Sequence, residues 1–128
     1  MRIAVGAGLL VWLDSNDYVR LERAAIRQGE NVITYVNFEQ RRGGRLISSQ
    51  SSQVPDQPLT LRLERRGAVL TGSFRAGDAP EKRLPEMKID DPAEVKVGVV
   101  AVNVASDPFE PEFSKLDVRT TSQPGENP

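Results

Sequence analysis

Residues 7–23 read AGLLVWLDSNDYVRLER, and their pattern indicates the class of fold. An apolar stretch, 7–13, and an alternating stretch, 18–23, flank four polar residues, 14–17, of the types that favour a turn. The second stretch alternates strictly between apolar and polar positions. One side carries Val19 and Leu21, and the other carries Tyr18, Arg20 and Glu22. A period of two with one apolar side predicts a half-buried strand, and so an antiparallel sheet.

The remaining chain repeats this strand-and-turn pattern. Gly43-Gly44 and Arg66-Gly67 have the composition of hairpin turns, and no helical period of useful length occurs. The apolar run 95–102 predicts a central strand, whereas the Ser/Gln-rich residues 48–53 predict a mobile, low-complexity segment. The further strand candidates are residues 31–39, 45–49, 58–66, 68–75 and 113–119. Closely spaced strands of this kind predict an all-β antiparallel sandwich.

Length and composition bound the possible functions. A chain of 128 residues accommodates one domain, which we place at residues 1–119, with residues 120–128 as a disordered tail or linker. The net charge of −1 argues against nucleic acid as a partner. The absence of cysteine and histidine excludes disulfides, thiolate metal sites and histidine-based catalysis. We therefore predict no metal site and no cofactor.

The N-terminus admits two interpretations. Met1-Arg2 followed by the apolar run 3–13 has the charge and hydropathy order of a signal peptide. However, the run is followed directly by the polar residues 14–17 instead of a small-residue cleavage site, and it is too short to span a bilayer. We favour a buried strand, with a signal or anchor remnant as the alternative, and predict no membrane span.

Several phrases, in order, resemble the concanavalin A-like lectin/glucanase superfamily, in particular an uncharacterised bacterial branch. The phrases are AGLLVW (7–12), DYVRLE (17–22), LTLRLER (59–65), VKVGVVA (95–101) and FSKLDV (113–118). The resemblance covers residues 7–119 and implies a jelly-roll β-sandwich. It implies little about activity, because this fold serves many functions.

The chain departs from the family pattern in two places. Family members have further strands before the AGLL phrase, whereas only six residues precede it here. A sandwich that lacks its first strands would leave residues 7–13 as an exposed edge, which predicts self-association through sheet edges. The family's Asp-Gly…Trp turn is replaced by residues 75–80, RAGDAP, so a ligand contact from that turn is not expected.

No catalytic residues are predicted. Glycosidases of the superfamily carry Glu-x-Asp-x-Glu, whose period of two places the carboxylates on one side of a strand. The nearest sequence here is Glu110-Pro111-Glu112, in which the middle carboxylate is missing and proline opposes a central strand. We therefore expect a domain that is not an enzyme.

The outward polar residues offer a candidate ligand surface. The predicted ligand-binding residues are Tyr18, Arg20, Glu22, Tyr35, Asn37, Arg62 and Glu64. An aromatic ring beside hydrogen-bonding groups is typical of sugar recognition, which makes a glycan the expected partner. In the alternative interpretation, Arg20 with Glu22 and Arg62 with Glu64 are cross-strand charge pairs on a solvated sheet. Trp12 lies in an apolar run, which favours packing in the core over the alternative of a platform for stacking on a ligand. The predicted function is an accessory carbohydrate-binding module, and the alternative is a structural or protein-interaction domain without a small-molecule ligand.

Overall fold

The computed structural model describes residues 3–14, 16–90, 95–103 and 117–118. All regular secondary structure in these residues is β-strand, which confirms the all-β class. The described residues contain no helix that could cross a membrane. The strands are β1 (Ile3–Asp14), β2 (Asp17–Gln28), β3 (Asn31–Arg42), β4 (Arg45–Gln53), β5 (Leu59–Arg66), β6 (Val69–Ala76), β7 (Lys82–Arg83), β8 (Met87–Lys88) and β9 (Lys96–Asn103).

The strands form two antiparallel sheets. The first sheet has five strands in the order β4-β3-β2-β1-β9. The second sheet has four strands, in which β6 lies between β5 and β7 and also pairs with β8. β5 contacts β1 and β2, so the two sheets pack against each other. The arrangement is that of two packed antiparallel layers, as in a β-sandwich.

A single apolar core lies between the sheets. Val19 and Leu21 of β2 are almost fully buried, as their alternation predicts, and they cluster with Phe38 of the same sheet and Leu70 and Phe74 of the other. The five-stranded sheet thus turns one side to the core and the other outward, and every second residue of β1, β2 and β3 lies on the outward side.

The sequence predicts a four-residue turn at 14–17, but the turn between the strands is shorter. Asp14 is the last residue of β1, Asp17 is the first residue of β2, and the two pair with each other. The Asp14 carboxylate accepts a hydrogen bond from the Asn16 backbone N–H at 2.7 Å, and Asp17 accepts one from Gly43 at 2.8 Å. The Gly44 N–H donates to the Asn16 carbonyl at 3.0 Å. These bonds hold the β1–β2 turn against the β3–β4 turn.

The prediction that residues 7–13 form an exposed edge is wrong. β1 pairs with β2 on one side and with β9 on the other. β9, expected from its apolar run to be central, is instead the last strand of its sheet among the described residues. Val97 and Val99 of β9 are about half exposed.

Residues 48–53, expected to be low-complexity and mobile, all belong to β4, which extends the strand candidate 45–49 to Gln53. Their backbone pairs with β3 in a continuous antiparallel register, for example Ser49 with Glu39 and Ser51 with Asn37. Register with a neighbouring strand supplies hydrogen bonds that local composition does not reveal. The predicted last strand, residues 113–119, and the tail, residues 120–128, lie outside the described residues except for 117–118, which form no strand.

Replacing Gly8 by alanine should disrupt the pairing of β1 with β2. A Cβ atom at Gly8 would lie 2.1 Å from the Leu21 carbonyl oxygen and 2.5 Å from the Glu22 Cα atom, so the backbones would have to separate. We expect Gly8→Ala to lower the free energy of unfolding by about 3 kcal/mol, measured by urea denaturation. Gly98→Ala is the matched control, since a Cβ atom there meets no described atom within 4 Å. Equal stability of the two variants would contradict this close approach.

Candidate polar binding face

The outward side of the five-stranded sheet carries a continuous group of polar and aromatic side chains, which we call the polar face. Register places its members side by side, since Trp12 pairs with Tyr18, Tyr18 with Arg41, Arg20 with Glu39 and Glu22 with Asn37. The polar face consists of Trp12, Tyr18, Arg20, Glu22, Tyr35, Asn37, Glu39, Arg41, Ser49 and Ser51.

An aromatic pair lies at one end of the polar face. The rings of Trp12 and Tyr18 are nearly parallel, with an interplanar angle of 10° and centroids 5.9 Å apart. The Arg20 guanidinium carbon lies 5.8 Å from the centroid of the Tyr18 ring, within range of a cation–π contact. The apolar run favours a core position for Trp12, and this prediction is wrong. The period of two places Trp12 on the side of the sheet opposite to buried Val11.

Glu39 joins two arginines. Its Oε2 atom accepts hydrogen bonds from Nη2 of Arg20 at 2.6 Å and from Nε of Arg41 at 3.0 Å. Burial alone would raise the pKa of Glu39, but the bonds and charges of both arginines outweigh it and the pKa lies below its usual value. Burial would also lower the pKa of Arg20, but Glu39 and Glu22 reverse this and raise it. Both groups are therefore ionised at neutral pH.

Asn37 connects this ion pair to the rest of the polar face. Its Nδ2 atom donates to Oε1 of Glu22 at 3.4 Å and to Oε1 of Glu39 at 3.5 Å. Its Oδ1 atom accepts from the hydroxyl groups of Ser49 at 3.1 Å and Ser51 at 3.4 Å. One amide thus links side chains of three strands and fixes their orientation.

Glu22 is buried although it lies on the outward side of the sheet. Only 6% of its surface is exposed, and its Oε2 atom is buried without a hydrogen-bond partner. The space for this side chain exists because Gly6 and Gly8 lie beside it; a Cβ atom at Gly6 would be 3.1 Å from Oε2. Burial raises the pKa of Glu22, against the opposing effects of Arg20 and Asn37. The expectation of a fully solvated face is therefore wrong at this position.

The seven predicted ligand residues do not form one surface. Tyr18, Arg20, Glu22, Tyr35 and Asn37 share the polar face. Arg62 and Glu64 lie on the outer side of the four-stranded sheet, where they line a groove of about 560 Å³. The two sheets turn their outer sides in opposite directions, so these two residues cannot contact the same ligand as the other five.

The ion pairs also differ from the predicted ones. Arg20 pairs with Glu39 across strands, instead of with Glu22 on its own strand. Arg62 does pair with Glu64, with Nη2 and Oε1 2.7 Å apart, but the two residues lie on the same strand. The charged groups of the polar face thus form a network that extends beyond isolated pairs.

Sequence reasoning missed part of this network. Glu39 and Arg41 continue the period of two that joins Tyr35 to Asn37, so extending that alternation would have found both residues. Ser49 and Ser51 required the register of β4, which no local pattern contains.

Comparison with protein-family models, curated protein sequences and solved structures finds no match to this chain. The fold defines its class as an all-β protein of two antiparallel sheets. The candidate site is identified by the geometry of the polar face alone. No group of side chains suited to hold a metal ion occurs among the residues that the structure describes.

Glu22→Gln should change how stability depends on pH. Because the folded-state pKa of Glu22 is raised, the native protein holds this proton more tightly than the unfolded chain. Its stabilising contribution is complete below the unfolded pKa and is lost as pH rises through the folded pKa. Glutamine remains neutral, so in urea denaturation the stability of the variant relative to wild type should increase as the pH rises above 4.5, the ordinary pKa of a glutamate side chain.

Glu39→Gln is the matched control, because its stability relative to wild type should change with pH in the opposite direction. The pKa of Glu39 is lowered in the folded state, so its contribution is present above the unfolded pKa and is lost on acidification. The variant leaves Arg20 and Arg41 without this carboxylate and should cost about 2–4 kcal/mol at neutral pH. The same pH trend in both variants would contradict the opposite environments of the two glutamates.

Proposed function

We propose that this domain is a non-catalytic module that binds carbohydrate on the polar face. The observation that carries the proposal is the aromatic pair Trp12 and Tyr18 beside the fixed Arg20–Glu39–Arg41 network. Sugar rings present apolar faces that pack on aromatic side chains, and their hydroxyl groups both donate and accept hydrogen bonds. The polar face offers both kinds of contact within a few neighbouring strands.

The groups that would meet a ligand are those that remain accessible. The Arg41 side chain is 35% exposed although it is held by Glu39, and Ser49 and Ser51 are exposed beside Asn37. Trp12 and Tyr18 are each partly exposed. Buried Glu39 orients Arg41 and buried Asn37 orients Ser49 and Ser51, and a site ordered before binding loses less entropy when a ligand binds.

We also propose that the two sheets are a jelly roll of the concanavalin A-like type. The resemblance of the phrases in residues 7–119 supports this, as do the two packed antiparallel sheets. A polar outward side on the larger sheet is compatible with a lectin-like use of such a fold.

The arrangement of the carboxylates favours binding over hydrolysis. A retaining glycosidase needs one carboxylate free to attack and a second free to transfer a proton. The oxygens of Glu39 accept from Arg20, Arg41 and Asn37, and Oε2 of Glu22 is buried. Glu110 and Glu112 lie outside the described residues. Hydrolysis of a glycan that Glu22→Gln abolishes would overturn the non-catalytic assignment.

Tyr18→Ala should weaken glycan binding about tenfold, through loss of ring contact with the sugar. Binding is measured by glycan array and by retardation in native gels that contain a single polysaccharide. Arg62→Ala is the matched control, because Arg62 is 60% exposed on the other sheet. Arg20→Ala alone is a less suitable test variant, because it removes an ion-pair partner of buried Glu39 and so also affects folding.

The outcomes separate the two functional classes. A glycan site on the polar face is supported if a polysaccharide retards the wild type and Arg62→Ala in the gel but does not retard Tyr18→Ala. No retention of the wild type on any glycan overturns the proposal.

A structural or protein-interaction domain is the second candidate, and β9 is the observation that favours it. Val97 is 51% exposed and Val99 is 44% exposed on a strand whose only charged residue is Lys96. β9 is the last strand of its sheet among the described residues, and apolar edge strands with few charges readily pair with other strands, including those of a second copy. Light scattering tests self-association: a monomer at every concentration argues against pairing through β9.

A further inference from the structure

We propose that the groove on the outer side of the four-stranded sheet binds an extended peptide in which acidic, basic and acidic side chains follow one another at every second residue. The groove lies on the sheet opposite the polar face, and binding there is independent of the proposed carbohydrate site. The class of ligand follows from the order in which register arranges the charges of β5, β6, β7 and β8.

Short side chains of β6 form the floor of the groove. Leu70 and Phe74 of β6 are buried in the core, so the alternate residues of the strand project outward. These are Val69, Thr71 and Ser73, and all three line the groove. The other lining residues are charged and belong to β5 and to residues 81–86. Short side chains at the centre and long charged ones on both sides give the groove its shape.

Two cationic rows cross the strands. Each row consists of one basic residue on either side of a short side chain of β6. The rows are Arg62–Ser73–Arg83 and Arg66–Val69–Lys88. Neighbouring strands are about 5 Å apart, so a negative charge above β6 would lie between two basic residues in either row.

An acidic row separates the two cationic rows. Thr71 of β6 pairs with Glu64 of β5, and Glu86 lines the same groove two residues before Lys88. Successive rows lie two residues apart along each strand, which is about 7 Å. From Ser73 to Val69 the groove therefore carries positive, negative and positive charge at intervals of about 7 Å.

Most of these charges are accessible to a ligand. Arg62 is held by Glu64, with Nη2 and Oε1 2.7 Å apart, and its Nη1 atom lies 4.0 Å from Oε2 of Glu81. The remaining charged residues of the rows are exposed, and none forms an ion pair with another residue that the structure describes. They are Arg66, Arg83, Glu86 and Lys88.

The spacing of the rows favours an extended polypeptide over other charged ligands. Alternate side chains of an extended chain point to the same side at the same interval of about 7 Å. An acidic side chain above Ser73 would lie between Arg62 and Arg83, and arginine forms strong charge-assisted hydrogen bonds with carboxylates. The basic side chain two residues later would lie between Glu64 and Glu86. A uniform polyanion, such as a nucleic acid, would instead be repelled by this acidic row.

Three heptapeptides with blocked ends test the order and the spacing of the charges. TETKTET has the proposed order and spacing, TTEKETT has the same composition with adjacent charges, and TETETET has the proposed spacing with acidic charges only. NMR titration of the whole, isotope-labelled chain measures affinity, and the amide signals that move identify the binding surface. We expect TETKTET to bind about tenfold more tightly than the other two, and more weakly as the salt concentration rises.

Two charge reversals test the groove. Arg83→Glu should weaken binding of TETKTET about tenfold, because it replaces an attraction to the first acidic side chain by a repulsion. Its matched control is Arg27→Glu, the same change at an exposed residue of β2 in the other sheet. Glu86→Lys should abolish the preference for TETKTET over TETETET, whereas Glu30→Lys, in the β2–β3 turn, should preserve it. Thermal unfolding verifies that each variant is folded.

Several outcomes would overturn the proposal. Equal binding of TETKTET and TTEKETT would contradict the match of spacing, and equal binding of TETETET would identify a general anion site. Wild-type affinity in Arg83→Glu would place the peptide outside the groove. A mass in light scattering that rises with concentration, and no longer does so in Arg83→Glu, would make a second copy the occupant. No binding of any peptide would also overturn the proposal, but it would leave carbohydrate binding on the polar face intact.

Discussion

The polar face depends on the close approach of β1 and β2 at Gly8. With no side chain at Gly8, the Leu21 carbonyl oxygen and the Glu22 backbone lie where a Cβ atom would otherwise be. Gly6 extends the same space by one pleat, and the Glu22 carboxyl group occupies it. A larger residue at either position would push this carboxyl group outward and remove its contact with Asn37. Backbone packing thus fixes the position of the most buried acidic group of the face.

The contrast between Glu22 and Glu39 follows from this placement. Both carboxylates are buried and both accept from Nδ2 of Asn37, but only Glu39 receives hydrogen bonds from two arginines. Burial therefore dominates at Glu22 and raises its pKa, whereas the arginines dominate at Glu39 and lower its pKa. The same sheet surface holds one carboxylate that favours its proton and one that remains charged. The difference arises from the direction of neighbouring side chains, because both residues lie at equivalent outward positions of adjacent strands.

The sequence predicts the strands well because a period of two is a local property. The alternation around Val19 and Leu21, and the hairpin at Gly67, where φ is +59°, are readable without knowledge of the neighbours. The placement of strands in sheets is not local. Arg62 and Glu64 show an alternation like that of Arg20 and Glu22, yet they belong to the other sheet.

The same limit explains the errors within the site. The burial of Glu22 depends on glycines that lie fourteen and sixteen residues earlier in the chain and become neighbours only through register. The apolar run around Trp12 favours the core because such a run does not reveal which side of the sheet each residue faces. Likewise, β9 is as apolar as a central strand but is the last described strand of its sheet.

The energetic cost of the polar face argues that it serves more than stability. Buried ion pairs are often no more stabilising than apolar residues of similar size, and an unpartnered buried polar atom is costly. This face nevertheless buries Glu22, Asn37 and Glu39 and leaves both Nε of Arg20 and Oε2 of Glu22 without partners. Threonine and valine at these outward positions would form the strands at lower cost. Costs of this kind are typically retained where side chains must keep a fixed orientation for a ligand. Arg41, which Glu39 holds, and the neighbouring aromatic pair are accessible, and this arrangement supports the proposed binding surface.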